Sequence, residues 1–162
     1  MLDEYATELN RKERRRITEY LSLTFLYFAL FVLATPLLEP ILSFSFTLLG
    51  GTLGWALSQH RERRRLLPPY HRQRLIADIL ENLLFLLFLT LIFSVALFVH
   101  YPLPQLLGYL SAAFWSYFLT TAIGERTWQR RFFSTLSEEQ QKNYLANLSR
   151  TIFLPLNLYQ QR

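Results

Sequence analysis

The stretch Gln59–Arg74, QHRERRRLLPPYHRQR, contains six arginines, a Pro-Pro pair and no long apolar run. A long apolar block lies on each side of it. Two consecutive prolines prevent one continuous helix through the stretch, because proline removes a backbone donor and restricts the residue before it. The stretch is therefore interpreted as a basic loop that joins two helical hairpins.

Segments without charge define those hairpins. No Asp, Glu, Lys or Arg occurs in residues 20–38, 40–60 or 82–124, and the last run is 43 residues long. One helix of that length would extend about 65 Å, roughly twice the hydrocarbon thickness of a bilayer. The run must fold back, and His100–Pro104 is its only segment with turn chemistry. The sequence predicts four membrane spans, at about 17–38, 41–58, 79–100 and 104–124.

The predicted fold is all-α, a polytopic membrane protein of two transmembrane hairpins with a C-terminal amphipathic helix. Residues 1–16 form an N-terminal arm, expected to be a short interfacial helix that runs into the first span. Residues 17–124 form the transmembrane domain, with an inner basic loop at 59–75. In the tail, residues 125–162, Ser137 and Gln140 match a capping box, which predicts a helix at 138–153. This helix is expected to lie on the membrane surface, with packing under the bundle as the alternative.

The distribution of charge predicts the orientation. All 17 Lys and Arg residues lie in 11–16, 61–74 and 126–162. With four spans these segments share one side, which the positive-inside rule makes the cytoplasm. Both termini are therefore predicted inside, in a bacterial inner (plasma) membrane or a related bilayer such as the thylakoid. The net charge of +5 is explained by topology, and no nucleic-acid partner is expected.

Small residues recur every four positions in the second and fourth spans. Such stripes let helix backbones approach closely in lipid, where van der Waals contact drives helix association. The first and third spans, rich in Leu and Phe, are expected to cover the outside. The predicted packing residues are Gly50, Gly54 and Ser58 in the second span, and Gly108, Ala112, Ser116, Thr120 and Gly124 in the fourth.

Basic and aromatic residues next to the spans are predicted to contact anionic lipid headgroups, with docking of an acidic protein as the alternative. The residues in this group are Arg61, Arg63, Arg64, Arg65, Arg72, Arg74, Arg126, Trp128, Arg130 and Arg131. Asp78 and Glu81 share one helix face near the start of the third span and are candidates for buried polar contacts. An interfacial ion pair is the simpler interpretation of both.

No catalytic, metal or cofactor residues are predicted. The chain has no cysteine and three histidines, two of which lie in the basic loop without further ligands. The leading hypothesis is a non-enzymatic accessory, assembly or scaffold subunit of a larger membrane complex, with a membrane-protein partner or a homo-oligomer. The alternatives are a small oligomeric transporter or channel with a hydroxyl-lined path, and a membrane-associated regulator that reads anionic lipid. The two halves also share a pattern that suggests a parallel duplication.

Overall fold

The computed structural model describes residues 2–68, 72–98, 100 and 102–148. All regular structure in this part of the chain is helical, so the predicted all-α fold is confirmed. The helices are α1 (Leu2–Ala34), α2 (Pro40–Arg64), α3 (Arg72–Phe98), α4 (Leu103–Phe132) and α5 (Glu138–Leu148), with short 3₁₀ turns at Thr35–Leu37 and Phe133–Thr135.

Four of these helices are long and apolar enough to cross a membrane. The candidate spans are Leu9–Leu37, Pro40–Arg64, Ile79–Phe98 and Leu103–Thr135, and their lengths run from 20 to 33 residues. A hydrocarbon core of about 30 Å needs about 20 helical residues, so each one suffices. The chain thus has the helices of a multi-pass membrane protein.

The helices extend beyond the apolar segments. The N-terminal arm continues into the first span, because α1 runs without a break from Leu2 to Ala34. The predicted inner loop at 59–75 is also shorter than expected, since α2 continues to Arg64 and α3 begins at Arg72. Arginine is a good helix former, so the charge that ends an apolar span does not end the helix.

Helix α4 is the centre of the bundle. In its most apolar 18-residue segment 56% of the residues are buried, against 6% in the corresponding segments of α1 and α3. Helix α1 packs antiparallel to α4: Tyr27 stacks on Phe118 near mid-helix, and Tyr20 bonds Glu125 at the basic end. Helix α2 packs parallel to α4 on another face. At the opposite end of the bundle, the backbone N–H of Glu39 donates to the Tyr109 hydroxyl at 2.8 Å.

The approach of α2 to α4 requires glycine. A Cβ atom at Gly50 would lie 2.7 Å from the carbonyl carbon of Ala113. At Gly54 it would lie 3.0 Å from the Cα atom of Tyr117 and closer still to that residue's carbonyl oxygen. Neither backbone can move aside cheaply. The two helices therefore touch through their main chains, the contact that small-residue stripes permit.

Helix α3 lies at the periphery of the bundle. Among the described side chains, one ring contact connects it to α4, between Phe85 and Phe114 with centroids 5.8 Å apart. Many of its leucines are more than half exposed, among them Leu83 and Leu87. Helix α1 packs along α4, whereas α3 does not pack along α2 in the same way. The two halves therefore differ in tertiary structure despite their similar sequence pattern.

Helix α5 packs under the bundle, so the expectation that it lies on the membrane surface is wrong. Tyr144, Leu145 and Leu148 are almost fully buried against Trp128 and Phe133. The capping box is confirmed: the Ser137 N–H donates to Gln140 Oε1 at 3.2 Å, and the Gln140 N–H donates to Ser137 Oγ at 3.4 Å. The predicted last turns of this helix, 149–153, lie outside the described residues.

Candidate functional site

A group of buried polar side chains lies at the basic end of the bundle, where α1, α2, α4 and α5 meet. Each of them is at most 8% exposed. Burying an ion costs several kcal/mol unless partners compensate for the lost water, so their contacts decide whether the arrangement is stable. We call the group the ionic cluster, and its members are Arg16, Tyr20, Glu62, Arg65, Glu125, Gln129 and Tyr144.

Glu125, on α4, is the centre of the ionic cluster. Its Oε1 atom accepts hydrogen bonds from the Tyr20 hydroxyl at 2.9 Å, from Arg65 Nη2 at 3.0 Å and from Arg16 Nη2 at 3.2 Å. Arg16 and Tyr20 are four residues apart and so share one face of α1. One carboxylate thereby joins α1, the end of α2 and α4.

Glu62, in the last turn of α2, is the second carboxylate of the cluster and is fully buried. One of its oxygens accepts from Arg65 Nη1 and the other from the Tyr144 hydroxyl. The same hydroxyl accepts a hydrogen bond from Gln129 Nε2 at 2.9 Å. Because Arg65 bridges Glu62 and Glu125, the bonds form a continuous network from α1 to α5.

Two backbone carbonyls in the last described turn of α5 also bond to the bundle. Lys12 Nζ donates to the Leu145 carbonyl at 3.1 Å, and Arg16 Nη1 donates to the Leu148 carbonyl at 3.4 Å. Asn147 donates to two backbone carbonyls just after α2. Helix α5 is therefore held by polar as well as apolar contacts.

The charge states of Tyr144 and Arg65, the cluster members that lie outside the candidate spans, follow from burial and from neighbouring charges. Burial raises the pKa of Tyr144 well above its usual range, and the neighbouring Glu62 adds to the rise. Burial alone lowers the pKa of Arg65, but the carboxylates of Glu125 and Glu62 outweigh it, and the pKa lies well above its usual value. Tyr144 therefore stays neutral and Arg65 stays charged across the physiological pH range.

A second polar group connects α3 to α2 and α4. Arg61 Nε donates to Glu81 Oε1 at 2.7 Å, and Arg64 Nη2 donates to Glu81 Oε2. Arg61 also donates to the Tyr117 hydroxyl at 2.7 Å and lies over its ring. We call this group the α3 clasp. Its carboxylate, held by two guanidinium groups, is the principal polar attachment of α3 in the described part of the chain.

The small-residue stripes lie mainly between α2 and α4 of the same chain. Besides Gly50 and Gly54, Ser58 meets Gly124, and Ser116 and Thr120 face Gly51 and Gly54. Gly108 instead faces Ala34 and Leu38 near the end of α1. Ala112 is fully buried within α4. These surfaces are used inside the protein and do not remain for an external partner.

Several residues predicted to contact lipid or a partner are used inside the protein, and that prediction is corrected for them. Arg65 belongs to the ionic cluster, and Arg61 and Arg64 hold Glu81. Trp128 is 6% exposed and stacks on Tyr144. The remaining members that the structure describes are exposed: Arg63, Arg72, Arg126, Arg130 and Arg131.

Of the two acids predicted to make buried polar contacts, Glu81 is partly buried in the α3 clasp. The side chains of Asp78 and Arg74 lie outside the described residues. On α1, Arg15 and Glu19 form an exposed ion pair, with Nε and Oε1 3.3 Å apart.

Six hydroxyls could line a transport path, and all of them except that of Ser116 donate to a backbone carbonyl. Thr47, Thr52 and Ser111 donate to carbonyls of their own helix at 2.7–3.0 Å. Thr120 donates to the Ser116 carbonyl, and Thr121 reaches the Gly54 carbonyl of α2 at 3.3 Å. A hydroxyl bonded in this way cannot donate to a solute, although its oxygen can still accept a hydrogen bond or contact a cation.

Sequence reasoning missed the ionic cluster, although its signal is visible. Glu62 is the only acid in the basic stretch 59–74, and Glu125 is the first charge after the 43-residue apolar run. An acid at a span end surrounded by arginines indicates a pair at the edge of the membrane. The tyrosine donors carry no comparable signal, since Tyr20 and Tyr144 lie 124 positions apart.

Within residues 2–68, 72–98, 100 and 102–148, no three His, Cys, Asp or Glu side chains are arranged to hold a metal ion. In the same part of the chain, Arg16 Nε and Gln129 Oε1 are cluster atoms without a hydrogen-bond partner. No protein-family model, curated protein or solved structure matches this chain.

Proposed function

We propose that this protein is a non-enzymatic accessory, assembly or scaffold subunit of a larger membrane complex. Its three basic segments would face the cytoplasm, in a bacterial inner membrane or a related bilayer such as the thylakoid. The observation that carries the proposal is that the buried charges are bonded to one another: Arg16, Glu62, Arg65 and Glu125 form one network with two tyrosines.

A network of this kind supports a structural role. Catalytic or transporting groups need an open position for substrate and a charge that changes during the cycle. Here two guanidinium groups oppose two carboxyl groups, and nearly every polar atom of the cluster has a protein partner. The cluster therefore serves to hold four helices in one arrangement.

The remaining surface suits contact with another membrane protein. The three-helix core of α1, α2 and α4 satisfies its own close-packing surfaces, while α3 is attached mainly through Glu81 and Phe85. Leucines of α3 such as Leu83 and Leu87 are about 60% exposed. A helix attached in this way leaves most of its circumference available to lipid or to a neighbouring subunit.

The test is a pull-down of the full-length chain from native membranes in mild detergent, with native mass measurement and identification of bound proteins. A stoichiometric partner supports the proposal. A particle that contains only this chain refutes it, and flux measurements in liposomes then become the next experiment.

A matched pair of variants locates the contact. Leu87→Trp places a bulky side chain on α3, and Leu33→Trp places the same side chain on α1 at a position that is 78% exposed. We expect the first variant to lose the partner and the second to retain it. Equal retention by both would exclude α3 as the contact surface.

A further inference from the structure

Apart from Arg15 and Arg126, which are exposed but paired with Glu19 and Glu13, the arginines with described side chains fall into two classes. Arg16, Arg61, Arg64 and Arg65 are at least partly buried, and each bonds a glutamate. An external anion would have to displace those carboxylates to reach them. The other class is exposed and has no carboxylate at ion-pair distance among the described side chains. It consists of Arg11, Arg14, Arg63, Arg72, Arg130 and Arg131.

We propose that these six exposed arginines form a ring that binds anionic phospholipid headgroups, and that the buried arginines take no part. The ring is spread over the basic ends of α1, α2, α3 and α4. It would surround the bundle rather than form a patch on one side. The proposal is independent of the accessory-subunit role, since lipid binding at this ring requires no protein partner.

Helix lengths place the ring at the depth of the headgroups. At 1.5 Å per residue, Arg63 lies about 35 Å along α2 from Pro40 and Arg130 about 40 Å along α4 from Leu103. On α3, Arg72 lies about 39 Å from Phe98. The hydrocarbon core is about 30 Å thick, and about 40–45 Å with the headgroups included. Measured from one boundary of the core, the opposite headgroup layer extends from about 30 Å to about 35–38 Å. Arg63 lies within this layer, and a helix tilt of about 20° brings Arg72 and Arg130 to a depth of about 37–38 Å.

Aromatic side chains at the same end support a lipid contact. Phe132 is 46% exposed and follows Arg130 and Arg131 directly. Trp55 is 45% exposed, and its ring lies at the level of Gly124. Exposed rings beside basic residues are typical of membrane interfaces, where the ring lies among the acyl boundary and the charge reaches phosphate.

Helix α5 explains why the charge forms a ring. Its apolar face is buried under the centre of the bundle, and its exposed residues include Glu138, Glu139 and Lys142. The outer surface of α5 is therefore slightly acidic. A headgroup approaching from the membrane meets arginine around the bundle, whereas the described outer face of α5 presents two acids and one lysine. This arrangement favours a lipid surface over an acidic soluble protein as the ligand of the ring.

The test uses the full-length protein in vesicles of phosphatidylcholine that contain phosphatidylglycerol with brominated acyl chains, which quench nearby tryptophan fluorescence. The quenching gives the preference of the protein for phosphatidylglycerol. Each exposed base raises the preference for the anionic lipid by up to about fivefold at its own position, which is the equivalent of about 1 kcal/mol. We expect a preference of several fold at low salt that falls as ionic strength rises, because exposed charges are screened.

The variant Arg63→Gln/Arg130→Gln/Arg131→Gln removes half of the ring without touching a buried contact, and we expect it to lose about half of the preference on a logarithmic scale. The single variants Arg63→Gln and Arg15→Gln are matched, because both arginines are exposed but Arg15 is already paired with Glu19. We expect the first to reduce the preference more than the second.

Three outcomes would overturn the proposal. Equal affinity of the wild-type protein for both lipids would leave the ring to an acidic protein. An unchanged preference in the triple variant would assign the lipid contact to other residues. Equal effects of the two single variants would mean that net charge alone attracts the lipid. Helical circular dichroism of each variant establishes that it is folded.

Discussion

Replacing Glu125 by glutamine tests whether the ionic cluster holds the bundle together. The substitution keeps the shape of the side chain and removes its charge. Arg16 and Arg65, at 8% and 7% exposure, then lose the carboxylate that they share. Removing one partner of a buried ion pair costs about 3–5 kcal/mol. The amide oxygen of glutamine still accepts one hydrogen bond, so we expect the lower limit, about 3 kcal/mol, or more than a hundredfold in the unfolding equilibrium.

The assay is reversible unfolding of the full chain in mixed micelles with increasing denaturing detergent, followed by far-UV circular dichroism. The matched control is Glu19→Gln, which removes a glutamate from the same end of the bundle. Glu19 pairs with the exposed Arg15 four residues earlier on α1, and such a pair contributes about 0.3–0.5 kcal/mol. Similar losses in both variants would refute a structural role for the cluster.

A double-mutant cycle identifies the source of the loss. Arg65→Met removes the guanidinium that bridges Glu125 and Glu62. If the cost of Glu125→Gln arises from an uncompensated buried cation, it is smaller in the Arg65→Met background than in the wild type. Additive costs would show that the two residues do not act as a pair.

Three further predictions concern separate contacts. Gly54→Ala drives a methyl group into the backbone of Tyr117, and we expect the free energy of unfolding to fall by about 1–3 kcal/mol because of overpacking. In the control Gly51→Ala, the new methyl group meets only the Ser116 hydroxyl and a threonine methyl, and we expect a smaller loss in the same unfolding assay. Tyr144→Phe removes the donor to buried Glu62, and we expect a loss of about 1–3 kcal/mol in stability. Faster proteolysis after residue 136 would report the release of α5, whereas an unchanged cleavage rate would contradict the role of this hydroxyl. Glu81→Gln weakens the α3 clasp, and we expect less cross-linking by a short bifunctional thiol reagent between cysteines introduced at positions 85 and 114 in this cysteine-free chain. An unchanged yield would mean that apolar contacts alone position α3.

The number and type of the main helices follow from local properties of the sequence. Runs without charge locate the four candidate spans, since a charged side chain inside a bilayer is costly. Proline and the capping box locate turns and the start of α5, because they act within a few residues. The helix ends were less predictable. Arg61 to Arg64 continue α2 past the end of its apolar stretch, as no local signal ends a helix at the first arginine.

The tertiary structure decides which residues the small-residue stripes and the charged side chains contact. A stripe of small residues indicates close packing without naming the partner, and here the partner of Gly50 and Gly54 is α4 of the same chain. Arginine has the same chemistry whether it is buried or exposed. Arg63 and Arg65 are two positions apart, yet one is exposed and the other bonds two glutamates, because only one points toward the bundle.

The sequence by itself therefore determined the all-α class, the four apolar helices and the position of the basic segments, since these depend on hydrophobicity and charge along neighbouring residues. Only the tertiary structure decided that α4 is central, that α3 is peripheral and that α5 packs underneath. It also decided which arginines pair with Glu62, Glu81 and Glu125. The physical reason is distance along the chain: Arg16 meets Glu125 across 109 positions, and such a contact exists only after the helices between them have packed.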